Sequence, residues 1–202
     1  LRRGAGTREA AAVMLDTSRA AAVVQTSGSG SAPKAALLSY GNLYYSAVAS
    51  AEALELTPGD RWLLSLPLYH VSGLGIVLRC MAAGAAVAIP GPDEPLAEAA
   101  ARCGATHLSL VPAQLHRLLQ DADAIQALAR TKAILLGGAP AAPGLLRQAW
   151  DAGLPIRTSY GLTETAALTT VTRTDDPPEA LLTAGRPTRP GTVSISCAGE
   201  VL

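Results

Sequence analysis

The chain has 202 residues, of which 49% are hydrophobic and 16% charged, and its formal net charge is zero. An apolar chain of this length can bury a sizeable core, which argues against intrinsic disorder. It lacks the basic surplus of nucleic-acid and anionic-membrane binders, so we expect no nucleic-acid partner. The longest apolar stretch, residues 74–90, is interrupted by Arg79 and Gly84 and is short for a membrane span, so we expect no such span.

The predicted elements, taken in chain order, are short β-like runs that alternate with helical patterns. The predicted strands are residues 20–25, 35–39, 61–67, 85–90, 106–111, 132–138 and 155–161. The predicted helices are residues 42–56, 72–84, 95–104, 112–120 and 142–153, and Gly84 and Gly104 stand where a helix usually ends. This alternation predicts an α/β fold with a mostly parallel sheet flanked by helices.

The pattern changes after Thr172 to a polar segment and then to AGRPTRPGTVSISC, which is typical of the start of a β-rich unit. We therefore divide the chain into an incomplete N-terminal segment (1–19), an α/β core (20–172), and a linker with the start of a β-rich subdomain (173–202). Because the sequence begins without methionine and ends inside a strand-like pattern, we expect it to be a piece of a longer protein.

The cysteines bear on the cellular compartment. Cys80, Cys103 and Cys197 are widely spaced and form no Cys-x-x-Cys pair, which favours neither a disulfide framework nor a zinc site. A reducing cytoplasm fits this usage best.

The oligomeric state is left open, with a homo-oligomer among the options.

Loops of unusual composition follow several of the predicted strands. They are SGSGSAPK (27–34), PLYHVSG (67–73), LGGAP (136–140) and SYGLTET (159–165). Open parallel sheets bind ligands just beyond the carboxyl ends of their strands. We therefore expect these loops to gather along one edge of the sheet and to form the active site.

The loop 27–34 is nearly free of side chains other than hydroxyls and Lys34. Backbone N–H groups of such a loop can turn toward one anion, and serine hydroxyls and the ammonium add donors, so a polyphosphate is the expected ligand. A Walker loop is excluded because Pro33 replaces its second glycine and Ala35 follows the lysine. A dinucleotide-binding loop is excluded because its third glycine is missing. Taken alone, the loop could also be a plain hairpin connection.

The order TSGSGSAPKA, LPLYHVSG, LLGGAP and SYGLTETAA resembles the adenylate-forming superfamily of acyl- and aryl-CoA ligases, adenylation domains and luciferases. The resemblance runs from residue 20 to near the end of the chain. It implies activation of a carboxylic acid with ATP, release of pyrophosphate, and transfer of the acyl group to coenzyme A. Within the superfamily, LLSLPLYHVSGLGI, THLSLVPAQLHRLL and AILLGGAP are most similar to the o-succinylbenzoate–CoA ligases of menaquinone synthesis.

The resemblance assigns nucleotide contacts to three of the loops within the 20–172 core. The phosphates would be gripped by Thr26, Ser27, Gly28, Ser29, Gly30, Ser31 and Lys34. The adenylate would contact Gly138, Ala139 and Pro140, together with Ser159, Tyr160, Gly161 and Thr163. The chain departs from the family at Ser29-Gly30-Ser31, where a Ser-Thr-Gly is usual, and this puts its ATP affinity in question.

The resemblance also assigns roles at the reacting centre. Tyr160 would lie against the adenine, Thr163 would donate to the α-phosphate, and Glu164 would hold Mg²⁺. His70 would stand between the acyl substrate and the adenylate. His70, Thr163 and Glu164 are therefore the candidate catalytic residues. Without the resemblance, Glu164 could be an exposed carboxylate at a helix start, and His70 a buried core histidine.

The acyl substrate, a carboxylic acid, would contact five residues: His70, Ser72, Gly73, Arg79 and Gly137. Arg79 follows Ser72 by seven residues, so both project from one face of a helix. An arginine in so apolar a segment could extend its charged head to the surface or form an internal salt bridge. It could instead meet a second carboxylate on the substrate, directly or through water. A keto-diacid such as o-succinylbenzoate has that carboxylate, whereas a fatty acid does not.

Members of the superfamily also carry a small C-terminal domain with an essential lysine, and a ribose-binding aspartate, which the 202 residues do not include. We therefore expect this chain alone to bind nucleotide but to catalyse adenylation poorly. Three hypotheses stay open at this point. They are an o-succinylbenzoate–CoA ligase, another acyl- or aryl-CoA ligase, and a non-catalytic nucleotide-binding domain.

Overall fold

The computed structural model describes residues 16–26, 34–197 and 200. Its strands are β1 (Ala20–Thr26), β2 (Lys34–Ser39), β3 (Arg61–Leu63), β4 (Ala86–Ala88), β5 (His107–Leu110), β6 (Ala133–Leu136), β7 (Ile156–Tyr160), β8 (Thr170–Val171) and β9 (Arg186–Pro187). Its α-helices are α1 (Tyr40–Ala53), α2 (Val71–Ala83), α3 (Leu96–Cys103), α4 (Pro112–Leu118), α5 (Ala122–Leu128) and α6 (Pro143–Asp151). Short 3-10 turns span Thr163–Thr165 and Pro178–Leu182.

The central sheet has the strand order β4-β3-β5-β6-β7-β8-β9. The strands from β4 to β7 pair in parallel, and β8 and β9 add antiparallel strands at one side. All residues of β5 and β6 are buried, as expected for central parallel strands that helices cover on both faces. The prediction of an α/β fold with a mostly parallel sheet is confirmed.

The hairpin of β1 and β2 forms a separate two-stranded antiparallel sheet. The loop 27–34 therefore connects two strands of a hairpin, and our expectation that it follows a strand of the main sheet was wrong. Apolar runs on either side of a Gly-Ser loop can pair with each other or enter a larger sheet, and local sequence does not separate the two outcomes.

Local signals account for most helix ends. Gly84 and Gly104 adopt positive φ angles of 68° and 59° and end α2 and α3, as predicted. Ser39 caps α1 through a reciprocal capping box with Asn42, so this helix begins two residues before the predicted start. The helix α5 was missed, although Asp121 caps it: its carboxylate accepts hydrogen bonds from the backbone N–H groups of Asp123 and Ala124. None of the helices in the described ranges is long and apolar enough to cross a membrane.

The core has two main clusters, which take alternate residues of the strands and so lie on opposite faces of the sheet. One contains Leu108 and Ile134 with residues of α3 to α6, and the other contains Trp62, Ile76 and Val171. Trp62 is fully buried, donates from Nε1 to Ser109 Oγ at 3.2 Å, and stacks on His107 with 5.1 Å between ring centroids. Burial lowers the pKa of His107, which favours its neutral form in this cluster.

The segment after Thr172 contributes to the main sheet. Arg186 and Pro187 pair with Val171 and Thr170, so β9 continues the sheet that begins with β4. The division of the chain at residues 19 and 172 stays a prediction.

The carboxylate of Asp60 links the turn before β3 to the residue that precedes β6, two strands away in the sheet. It accepts hydrogen bonds from the backbone N–H and hydroxyl of Thr57 at 2.9 and 2.8 Å, and it pairs with Lys132 at 2.6 Å. Burial opposes ionisation of Asp60, but Lys132 and Thr57 outweigh it and lower the pKa of this carboxyl to about 2. Because the pKa is depressed on folding, the stabilisation is complete above about pH 4, the ordinary carboxyl pKa, and is lost as the pH falls toward the folded pKa of about 2.

We expect Asp60→Asn to lower the free energy of unfolding by about 1–2 kcal/mol at pH 7 and by much less below pH 3. Urea unfolding of both proteins at pH 7 and at low pH measures this difference. Asp151→Asn, at an exposed position, is the control and should change stability by less than about 0.5 kcal/mol. A difference between Asp60→Asn and the parent protein that is equal at both pH values would contradict the assignment.

Candidate nucleotide and acyl site

The candidate site lies at the carboxyl ends of β3, β6 and β7. Because these strands run in parallel within one sheet, the segments that follow them meet at the same edge. These segments carry PLYHVSG, LGGAP and SYGLTET. The sequence expectation of a shared edge therefore holds for three of the four loops.

The LGGAP and SYGLTET segments are in direct contact. Ser159 Oγ donates to the carbonyl of Leu136 at 3.0 Å. A Cβ on Gly137 would lie 2.7 Å from that hydroxyl, and Gly138 has a positive φ of 81°. Gly138, Ala139 and Pro140 are exposed, so this small-residue segment presents its backbone at the edge of the sheet.

The turn Thr163–Thr165 follows β7 and carries two of the candidate catalytic residues. Thr163 is half-buried and Glu164 is exposed. Thr165 closes the turn, since its hydroxyl accepts from the N–H of Leu162 at 2.9 Å and donates to the Leu162 carbonyl at 3.0 Å. No group of three or more His, Cys, Asp or Glu side chains able to hold a metal occurs in the part of the chain that the structure describes.

The backbone around Tyr160 and Gly161 is tightly folded. Tyr160 is half-buried at the end of β7 and pairs with Thr170. Gly161 follows, and a Cβ there would collide with the backbone carbonyl of Ala167. Position 161 therefore requires glycine for the loop to close over itself.

We expect Gly161→Ala to lower the free energy of unfolding by about 2–3 kcal/mol, because the loop must open to admit the methyl group. The matched control is Gly144→Ala in the first turn of α6, where a Cβ would meet nothing within 4 Å. Denaturant unfolding should show a change of less than about 1 kcal/mol for the control. Equal stability of the two variants would mean that the loop accommodates a side chain.

His70 lies outside the core. It is exposed at the N-terminal end of α2, makes no side-chain capping bond, and its ring lies 4.5 Å from that of Tyr69. The alternative of a buried core histidine is therefore wrong. Ser72 is half-buried in the first turn, and a Cβ on Gly73 would collide with the carbonyl of Pro67, so α2 begins in close contact with the preceding loop.

Arg79 is buried in α2, with 2% of its surface exposed. Its Nε donates to the carbonyl of Gly75 at 2.9 Å, and its guanidinium carbon lies 4.6 Å from the centroid of the Trp62 ring. Its Nη1 finds no hydrogen-bond partner among the residues described by the structure. Burial lowers the pKa of Arg79 to about 10, so the group stays cationic at neutral pH.

This environment fits neither of the two plain alternatives for Arg79. The side chain does not reach the surface, and no carboxylate within residues 16–26, 34–197 and 200 forms a salt bridge with it. A buried guanidinium with an open donor and no counter-charge is costly without an acceptor. The contact with a substrate carboxylate stays a hypothesis.

The two ends of the loop 27–34 are fixed by the β1–β2 hairpin. Thr26 and Lys34 are partners in the β1–β2 register, and Thr26 Oγ1 lies 3.4 Å from the Lys34 carbonyl. Ser27, Gly28, Ser29, Gly30 and Ser31 lie outside the described residues.

Comparison with known proteins relates this arrangement to a family. Residues 3–196 match the family of AMP-binding enzymes. The chain belongs to this family. The resemblance to the adenylate-forming superfamily that the four motifs indicate is thereby confirmed.

The 2-succinylbenzoate–CoA ligase of Listeria monocytogenes serotype 4b (strain F2365) is 34% identical over 190 residues, which cover 93% of this chain and 40% of that protein. The structure of Bacillus subtilis o-succinylbenzoate CoA synthetase (MenE) with the acyl-adenylate intermediate OSB-AMP is similar with a TM-score of 0.80 at 31% identity, covering 93% of this chain and 49% of that one. The same enzyme with ATP and magnesium ion gives a TM-score of 0.79 at 31% identity, covering 93% and 40%. This chain therefore spans about 40% of the length of the curated relative it matches.

Two contacts near the candidate site of this AMP-binding domain involve residues outside the sequence motifs and were not predicted. Trp62 supports Arg79 from β3, and Ser46 of α1 donates from its hydroxyl to the carbonyl of Ala166 at 2.6 Å. Ser46 and Ala166 are 120 residues apart, and neither belongs to a recognisable local pattern. Sequence periodicity could place Ser46 on a helix but gives no indication of its partner.

Proposed function

We propose that the full product of the gene encoding this chain activates a carboxylic acid with ATP and transfers the acyl group to coenzyme A. The first step forms the acyl-adenylate and pyrophosphate, and the second forms the thioester and AMP. The preferred acid is o-succinylbenzoate, which becomes o-succinylbenzoyl-CoA in menaquinone synthesis. The named relatives and the ligands of the two MenE structures support this proposal.

Some residues at the sheet edge would bind the nucleotide, and others would bind the acid. Lys34 and the hydroxyls of the hairpin loop would hold the phosphates, and Tyr160 would support the adenine. Thr163 would donate to the α-phosphate, and Glu164, whose exposed oxygens suit a hard cation, would hold Mg²⁺. When bound, Mg²⁺ neutralises charge on the departing pyrophosphate. The exposed imidazole of His70 would contact both the acid and the adenylate.

The observation that carries the choice of acid is the buried arginine. Arg79 has an open donor at Nη1, and no carboxylate pairs with it among the described residues. A second carboxylate on the substrate, met directly or through water, would supply the missing acceptor and counter-charge. A monocarboxylic acid would leave this donor unsatisfied.

Location in the cytoplasm and assembly into a homo-oligomer stay predictions.

The test is acid-dependent ATP–pyrophosphate exchange by the full gene product. It compares o-succinylbenzoate with benzoate and a medium-chain fatty acid. Strong exchange with the diacid alone is the expected result. Exchange with the monoacids alone would make the protein another acyl- or aryl-CoA ligase. No exchange with any acid would favour a non-catalytic nucleotide-binding domain, with Ser29-Gly30-Ser31 as the first place to look for the cause.

A further inference from the structure

The turn Thr163–Thr165 is followed by two alanines in a backbone conformation that favours glycine. Ala166 has a φ of 55° and Ala167 a φ of 93°. A residue with a Cβ in this region is strained by about 1–2 kcal/mol, and such strain persists only where surrounding contacts hold it. The backbone that leaves Glu164 therefore depends on contacts made by its neighbours.

Those contacts come from α1 and from the β1–β2 hairpin. The hydroxyl of Ser46 donates to the carbonyl of Ala166 at 2.6 Å. The side chain of Ala166 is buried against Val24 of β1 and Leu38 of β2. Val71, the residue after His70, packs against the same cluster. Ala166 is thus a junction between the turn, the hairpin and the start of α2.

We propose that Ser46 is a positioning residue for Thr163 and Glu164. By holding the Ala166 carbonyl on α1, it keeps the strained backbone closed and sets the direction in which the turn presents its hydroxyl and carboxylate. Ser46 acts through Ala166 and touches neither nucleotide nor acid. The inference rests on the proposed function, because it assigns the turn to the α-phosphate and Mg²⁺.

The chain offers a closely matched control at Ser50, one turn further along α1. Ser46 and Ser50 line the same small cavity between α1 and α2. The Ser50 hydroxyl donates to the Ala47 carbonyl within its own helix at 3.0 Å and does not bond to the turn. Ser46→Ala and Ser50→Ala therefore share any effect of removing a hydroxyl from this cavity, and the bond to the turn is lost in the first alone.

The experiment measures ATP–pyrophosphate exchange by the full gene product with o-succinylbenzoate while the Mg²⁺ concentration is varied. We expect Ser46→Ala to lower kcat about tenfold and to raise the Mg²⁺ concentration for half-maximal exchange severalfold, because a misdirected ligand binds and orients poorly. Ser50→Ala should match the parent protein in Mg²⁺ dependence. Ser46→Thr, which keeps the hydroxyl, should have the Mg²⁺ dependence of the parent protein. Thermal unfolding of each variant identifies any general loss of stability.

The outcomes separate this inference from the proposed function. If the parent protein shows no acid-dependent exchange, the proposed function fails, and this inference fails with it. If the parent protein exchanges but Ser46→Ala and Ser50→Ala have the same Mg²⁺ dependence, the proposed function stands and Ser46 has no positioning role.

Discussion

Glu164→Gln is expected to lower ATP–pyrophosphate exchange by about a hundredfold or more, because it removes the charged ligand proposed for Mg²⁺ while keeping the side-chain shape. Glu164 is exposed and lies on a three-residue turn, so loss of its charge should leave the fold intact. Exchange rates of the full gene product over a range of Mg²⁺ concentrations provide the measurement. The remaining activity should require more Mg²⁺ than that of the parent protein.

The matched control for this change is Glu179→Gln. Glu179 is also an exposed carboxylate in the first turn of a 3-10 helix, Pro178–Leu182, but it lies away from the predicted site loops in sequence. Its substitution should change the rate by less than about twofold, as for other exposed surface positions. Equal rates for Glu164→Gln and Glu179→Gln would remove Glu164 from the proposed mechanism.

Arg79→Met is expected to lower kcat/KM for o-succinylbenzoate by about 30- to 150-fold, since a hydrogen bond to a charged group contributes about 2–3 kcal/mol. Methionine has a similar volume and fills the space beside Trp62. Any exchange with benzoate, which lacks the second carboxylate, should change by less than about threefold. Exchange kinetics with both acids test the role of the charge directly.

The stability of the same variant provides an independent measurement. Arg79 has no carboxylate partner among the described residues, so its removal relieves a buried charge and loses the contact with the Trp62 ring. These effects oppose each other, and the free energy of unfolding should change by less than about 1 kcal/mol. A similar loss of activity with diacid and monoacid, or a large loss of stability, would make Arg79 a structural residue instead of a specificity determinant.

The local parts of the fold were predictable because the physical causes are local. Glycine at positions 84 and 104 permits the positive φ that ends a helix, and the apolar runs of β5 and β6 require burial on both faces. The helix α5 was missed because it is seven residues long and follows α4 without a proline or glycine between them. The start of α1 was misplaced because the capping box of Ser39 and Asn42 was not recognised.

In the candidate site, too, some features were predictable from the sequence and others were not. Sequence motifs identified the segments that carry His70, Thr163 and Glu164, and the alternation of strands and helices placed three of the four loops at one edge. The environment of Arg79 could not be predicted, because a surface position, a salt bridge and an open donor are all compatible with an arginine in an apolar helix. Its burial depends on the Trp62 ring, which lies on a different element.

The sequence by itself determined the α/β class, the family and the order of the site loops, because periodicity, glycine positions and motifs are properties of neighbouring residues. Only the tertiary structure decided that β1 and β2 form their own hairpin sheet, that Arg79 is buried without a counter-charge, and that Ser46 contacts Ala166. The second and third of these depend on contacts between different elements, Trp62 with Arg79 and Ser46 with Ala166, and the first depends on whether a local hairpin joins the main sheet. Such contacts follow from how whole elements pack, and local sequence does not specify which distant side chain will complete them.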